Sequence, residues 1–172
     1  RMALGAGCQQ LTGQGTYGSP TSPPPFVAGF AEVEIDKATG KVTPIGFVAV
    51  VDCGTVINPA LARVQTEGGV VQGIGMALYE EVRYTGQGRL ETCNFMQYKI
   101  PCRKDVGNVR VAFEPSYEPT GPFGAKSIGE AVINTPAPAI AHAVFNATGV
   151  QLTQLPLTPE KVLNALLTNK RG

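Results

Sequence analysis

Ala31-Glu32-Val33-Glu34-Ile35-Asp36, then Lys37-Ala38-Thr39-Gly40, then Lys41-Val42-Thr43-Pro44-Ile45-Gly46-Phe47-Val48-Ala49-Val50-Val51-Asp52, is the stretch that decides the fold. In its first part Ala31, Val33 and Ile35 alternate with Glu32, Glu34 and Asp36. A period of two places the apolar set on one face, the pattern of a half-buried strand that starts near Phe26. Asp36 to Lys41 reads as a turn, because Gly40 can take a positive φ. The following segment, to about Asp52, is a second strand. Its unbroken apolar run Phe47–Val51 predicts cover on both faces. The two strands read as an antiparallel hairpin.

Beyond the hairpin, Asn58-Pro59 opens a helix, with Asn capping free N–H groups and Pro in the first turn. The helix is expected to reach about Glu81. Val64, Gly68, Val71, Gly75, Leu78 and Val82 recur at helical spacing and form its predicted buried face. Arg89–Cys93 and Asn108–Glu114 are strand candidates. A helix from Ala137 to about Asn146 is stopped by Gly149. Thr158-Pro159-Glu160 starts a last helix that runs to about Thr168. This order predicts an α+β fold, a two-layer sandwich of mixed, largely antiparallel sheets with helices packed on them. Residues 1–25, rich in Gly, Gln, Thr, Ser and Pro, read as an extended arm or loop, and residues 26–172 as the folded part.

Composition narrows the function classes. Lys plus Arg is 14 and Asp plus Glu is 13, a net charge of +1, which argues against nucleic acid as a partner. Charged residues are only 16% of the 172, which suggests extensive burial against another domain, a subunit or a large ligand. No run of about 18 apolar residues exists, so no membrane span is expected. The cysteines (Cys8, Cys53, Cys93, Cys102) form no C-x-x-C pair and His142 is the single histidine, so zinc and thioredoxin-type sites are disfavoured. A reduced, cytoplasmic setting is the expectation. The opening Arg1-Met2-Ala3-Leu4-Gly5 has no secretory pattern and reads as the interior of a longer protein.

Three features break local rules. Gly68, Gly69, Gly73 and Gly75 fall inside the long helix. At about 1 kcal/mol per interior glycine, the four cost about 4 kcal/mol relative to alanine. Close approach of another backbone, or of a flat ligand, is the offset to look for, and Gln72 among them could read a heterocycle's donor and acceptor edge. Tight helix–sheet packing with Gln72 at its edge is the plainer alternative. Second, Gly121-Pro122-Phe123-Gly124-Ala125-Lys126-Ser127-Ile128-Gly129-Glu130 is a Gly-rich loop whose N–H groups could cradle oxygens. Glu130, followed by Ala131-Val132-Ile133, is a general-base candidate if desolvated; otherwise it is a solvated carboxylate or a partner of Lys126. Third, Gly13-Gln14-Gly15-Thr16-Tyr17-Gly18 matches G-x-G-x-x-G, but no strand precedes it and no helix follows, so it is not read as a dinucleotide site. His142 is expected to be a partly buried helix residue.

Several of these motifs, in unbroken order, resemble one family. They are Glu32-Val33-Glu34-Ile35-Asp36, Thr39-Gly40-Lys41-Val42, Val51-Asp52-Cys53-Gly54 with Ile57-Asn58-Pro59, Glu67-Gly68-Gly69-Val70-Val71-Gln72-Gly73-Ile74-Gly75, the 121–130 loop, and Leu155-Pro156-Leu157-Thr158-Pro159-Glu160-Lys161-Val162. Together they are similar to the C-terminal part of the molybdenum-binding subunit of the xanthine dehydrogenase and aldehyde oxidase family. The resemblance implies a fragment of a molybdopterin-dependent hydroxylase that oxidises a purine, aldehyde or N-heterocycle with water as oxygen source. It implies Glu130 as the catalytic base that takes a proton from the molybdenum-bound hydroxide. It assigns Gln72, Gly69, Gly73, Lys126, Ser127, Ile128 and Gly129 to the cofactor, the last four mainly through backbone groups. It assigns no metal ligand to this chain. The cofactor is a molybdenum–molybdopterin, with or without cytosine dinucleotide. Iron–sulfur and flavin groups belong to other domains or subunits, which with the N-terminal remainder of the subunit are the expected partners. The chain alone is expected to be inactive. A non-catalytic assembly piece, or a relative performing reductive dehydroxylation or carbon monoxide oxidation, remains open.

Overall fold

The computed structural model describes residues 12–169. Cys8 and the first part of the expected arm lie outside the described residues. Residues 12–25 carry no helix or strand, and Tyr17 donates its hydroxyl to the Thr120 carbonyl at 2.8 Å. The G-x-G-x-x-G run is therefore coil that leans on the 118–121 turn.

The hairpin forms as read. β1 (Phe26–Asp36) pairs antiparallel with β2 (Lys41–Asp52), from Phe26 opposite Asp52 to Asp36 opposite Lys41, with a bulge between Glu32 and Val33. Asp36 closes the turn by accepting from the Ala38 N–H at 2.9 Å and the Thr39 hydroxyl at 2.8 Å. Gly40 sits at φ +76, and a Cβ there would lie 2.1 Å from the Pro159 carbonyl oxygen, so the turn needs glycine on both counts. β3 (Asn108–Phe113) adds to β2 in parallel, giving a mixed three-stranded sheet in the order β1-β2-β3. Residues 89–93 form no sheet strand; the Tyr84–Leu90 bridge, with bonds from the Thr85 N–H to the Arg89 carbonyl and from the Glu91 N–H to the Arg83 carbonyl, closes the turn at Gly88, and of residues 89–93 only Thr92 is buried.

Helix α1 (Pro59–Leu78) is capped by Asn58, whose Oδ1 accepts from the Leu61 N–H at 3.1 Å. It ends three residues short of Glu81, because the Tyr79 and Glu80 N–H groups both turn back to the Gly75 carbonyl. Its buried residues are Thr66, Gly69, Val70, Gly73, Ile74, Gly75, Ala77 and Leu78. The face expected from periodicity matches this one only in part: Gly75 and Leu78 are buried and Val71 is half-buried, but Val64, Gly68 and Val82 are exposed. Small and apolar residues occur on nearly every side of α1, so spacing alone does not choose a face. Helix α2 (Pro136–Thr148) ends at Gly149, left-handed at φ 70, whose N–H reaches the Phe145 carbonyl. Helix α3 (Pro159–Asn169) follows Thr158, whose hydroxyl accepts from the Lys161 N–H at 3.4 Å. His142 is exposed on α2, not partly buried as expected.

The main core joins Phe47 and Ala49 of β2, Val70, Ile74 and Leu78 of α1, Ile140 and Val144 of α2, and Leu157 with Val162. A second cluster of Val51, Cys53 and Val132, with Ile128 and Ile133 packed on it, lies beneath the 121–134 segment. The other sheet face departs from the expectation of cover on both sides. Phe30, at 63% exposed, together with Phe26 and Val48, faces outward.

Candidate cofactor-binding site

β2 ends at a charged hub. Asp52 Oδ1 accepts from the Gly54 N–H at 3.1 Å and from the Ser116 hydroxyl, and Oδ2 accepts from Lys126 Nζ at 2.6 Å. The Lys126 side chain is only 8% exposed, and its ammonium lies 5.0 Å from the centre of the Phe26 ring. The backbones close alongside: the Lys126 N–H donates to the Cys53 carbonyl and the Thr55 N–H to the Gly124 carbonyl, each at 2.7 Å. Gly54 and Ala125 thus form an antiparallel bridge. The tight path of this loop requires left-handed backbone at Gly54, Phe123 and Gly124.

Lys126, Ser116 and the Gly54 N–H, in that order, hold the Asp52 carboxyl down to about 2 from an ordinary value of 3.8. The folded value lies below the unfolded one, so the stabilisation is complete above about pH 4 and is lost as pH falls toward 2. Since Asp52 is only partly buried, its share is on the order of 1–2 kcal/mol. Melting temperature followed from pH 5 to pH 2 is expected to fall more steeply in the wild type than in Asp52→Asn; parallel curves refute the assignment.

Past this anchor the chain runs through Ser127, Ile128 and Gly129 to Glu130. Ile128 packs on the second core cluster. The Gly129 carbonyl accepts from Gln65 Nε2 of α1 at 3.1 Å. The loop is therefore fixed at Lys126 and again at Gly129. Among the described residues, the N–H groups of Ser127, Ile128 and Gly129 have no protein acceptor. Glu130 caps a 3-10 turn (Ala131–Asn134), and its carbonyl accepts from the Ile133 N–H. Its side chain is exposed and pairs with no basic residue among those described; pairing with Lys126 is ruled out by Asp52.

The helix glycines have two different surroundings. A Cβ on Gly69 would lie 2.2 Å from Val132 Cγ2, and one on Gly73 2.6 Å from Pro136 Cγ. Both positions are filled by the segment that follows Glu130, so packing within this chain accounts for those two glycines without a ligand. Gly68 is exposed with open space around it. Gln72 is exposed as well, seven residues after Gln65 and so on the same side of α1, about 10.5 Å further along. The exposed edge of α1 and the loop leading to Glu130 are thus neighbours, joined by Gln65 and by the Gly69–Val132 contact.

Between them opens a cavity of about 450 Å³ whose lining includes Thr55, Asn58, Leu61, Gln65, Lys126 and Gly129. The sequence offers Asn58 only as a helix cap and part of a motif and gives no site role to Gln65 or Thr55, although Gln65 is related to Gln72 by two helical turns. The Cys53 thiol in the wall is pushed up by burial and by Asp52, so it stays protonated and inert. Among the described residues no group of three His, Cys, Asp or Glu side chains could hold a metal ion, and no helix is long and apolar enough to cross a membrane. Unpartnered N–H donors, a neutral amide and an apolar floor suit a ligand with several acceptor atoms; Gln72, Ser127 and Glu130 lie outside this lining.

Residues 2–107 match the molybdopterin cofactor-binding domain, a stretch that ends before the 121–130 loop. The chain is 40% identical over 163 residues to the probable hypoxanthine oxidase XdhD of Escherichia coli K12, covering 94% of this chain and 17% of that protein. It is 41% identical over 140 residues to the nicotine 6-hydroxylase large subunit of Paenarthrobacter nicotinovorans, covering 77% of this chain and 17% of that one. The aldehyde oxidoreductase structure from Desulfovibrio gigas superposes with a TM-score of 0.77 at 34% identity, over 83% of this chain and 15% of that chain. The chain therefore spans about a sixth of the length of these relatives. With the matched domain extending over more than half of its residues, the chain belongs to the molybdopterin cofactor-binding domain family.

Proposed function

We propose that this chain is the C-terminal part of the molybdenum-binding subunit of a hydroxylase acting on a purine, an aldehyde or an N-heterocycle. The observation that carries the reading is the loop fixed at both ends, with three donor N–H groups that have no acceptor among the described residues, beside the Gln65–Gln72 edge of α1. Ser127, Ile128 and Gly129 bind the pterin through these N–H groups, and Gln72 contacts its ring through the side-chain amide. Bound there, the molybdenum cofactor, with or without a cytosine dinucleotide, supplies a two-electron redox centre and activates water. Glu130 accepts the proton at its carboxylate, and the stiff loop fixes the backbone from which that exposed side chain extends. The sheet and helices form a two-layer sandwich whose exposed face around Phe26, Phe30 and Val48 packs on the N-terminal remainder of the subunit. Iron–sulfur and flavin units elsewhere in the assembly carry electrons away.

Molybdenum analysis of the intact subunit, followed by a screen with purine, aldehyde and N-heterocycle substrates in ¹⁸O-labelled water, tests this. Stoichiometric molybdenum and label in the product are expected. A subunit that purifies from molybdate-replete cells without molybdenum is an assembly component instead, and the proposal fails.

A further inference from the structure

We propose that Lys126 acts as a positioning residue through its pair with Asp52, and that this pair, not a contact to the cofactor, is why a lysine stands in the loop before Glu130. The inference deepens the proposed function and rests on it for its consequence. A lysine beside an anionic cofactor is ordinarily read as a direct charge contact. Here the ammonium is almost fully covered, bonded to Asp52 Oδ2 at 2.6 Å and stacked near Phe26. Its own N–H is also committed, to the Cys53 carbonyl. Lys126 is the one charged residue in the cavity lining, and Asp52 neutralises it. The cavity therefore meets its ligand with N–H dipoles and no net charge.

The pair does a second thing. Asp52 also holds the Gly54 N–H and the Ser116 hydroxyl, so one carboxylate ties together the end of β2, the 53–55 turn, the 114–118 stretch and the loop. The next fixed point is Gly129, through Gln65. Between these two ties lie the unpaired donors. If the first tie opens, the direction of the Ser127–Gly129 N–H groups and the place of Glu130 are no longer set. Breaking one member of a covered pair also strands the other charge.

The test compares Asp52→Asn, Lys126→Met and the double variant in the intact subunit, with Lys126→Arg as the conservative replacement. In cofactor-free protein from molybdate-starved cells, hydrogen exchange is read on peptides containing the Thr55 and Lys126 amides. Both single variants are expected to lose protection about tenfold or more, the double variant no further, and Lys126→Arg to retain most of it. In molybdate-replete cells, retained molybdenum is expected to fall about tenfold in both single variants. Protection unchanged in Asp52→Asn overturns the proposal. So does loss of molybdenum in Lys126→Met alone, which assigns the ammonium to the cofactor directly. Should a single variant fail to accumulate, Ser116→Ala, which removes only one bond to Asp52, must still raise exchange at Thr55, or the hub is not the anchor. If the wild type itself holds no molybdenum, the proposed function fails, while the exchange comparison still decides the anchor.

Discussion

Glu130→Gln in the intact subunit is expected to lower turnover by about 10²–10⁴-fold, the usual contribution of a general base, if Glu130 has the proposed role. The amide keeps the size and shape of the carboxylate but cannot accept a proton. The surrounding loop is held by backbone bonds at Lys126 and Gly129 and by Ile128 in the second core cluster, none of which uses the Glu130 side chain. Molybdenum content and melting temperature are therefore expected to stay at wild-type values, with kcat carrying the loss and KM changing little. Steady-state kinetics with metal analysis on the same preparation reads all three. Unchanged turnover removes Glu130 from the chemistry. Joint loss of turnover and molybdenum makes Glu130 a structural residue of the loop.

Much of the fold was legible because it is written in local chemistry. The 31–52 hairpin follows from alternation, a turn aspartate and a glycine, each acting within a few residues. The start of α1 at Asn58 and the end of α2 at Gly149 follow from caps with a single geometric solution. What failed depended on distance. The buried face of α1 was legible only in part because valine and glycine on several sides left spacing undecided, and only the 131–136 segment, packed on Gly69 and Gly73, selects the face. Residues 89–93, Arg-Leu-Glu-Thr-Cys, hold one β-branched residue and no aromatic, and they close a local turn instead of joining the sheet. The parallel β2–β3 pairing has no local signature at all.

The site divides in the same way. The 121–130 loop stood out because its glycines make no sense in a regular element. Two of the helix glycines were read toward a ligand when a valine and a proline fill their space. The Lys126–Asp52 pair has no signature in the sequence, because its members stand 74 residues apart and meet only once the chain has folded. Gln65 was overlooked because an exposed glutamine near a helix start carries no pattern until Gly129 is placed beside it.

Gly54→Ala is the substitution in which fold and site fail together. At φ +66 an alanine pays roughly 1–2 kcal/mol for left-handed backbone. Its Cβ would also sit 2.3 Å from the Gly124 carbonyl oxygen and 3.0 Å from the Lys126 N–H nitrogen, both backbone atoms with no side-chain freedom to yield. Overpacking of this kind costs about 1–3 kcal/mol, so a total loss of about 2–5 kcal/mol is expected. Relief is available only by lifting the loop off the turn, which breaks the Thr55–Gly124 and Lys126–Cys53 bonds and carries Ser127–Glu130 with it. Urea unfolding of the intact subunit is expected to shift to lower concentration, and molybdenum to be lost in proportion. Gly68→Ala is the matched contrast, since its Cβ would meet nothing within 4 Å. On helix propensity alone it should stabilise by about 1 kcal/mol. If Gly68 is glycine because the pterin presses on that face, the same variant must gain stability and lose molybdenum. A Gly68→Ala protein that gains stability and keeps its full metal content places the cofactor elsewhere than on the α1 edge. A Gly54→Ala protein as stable as wild type means that turn and loop do not meet as closely as their hydrogen bonds require.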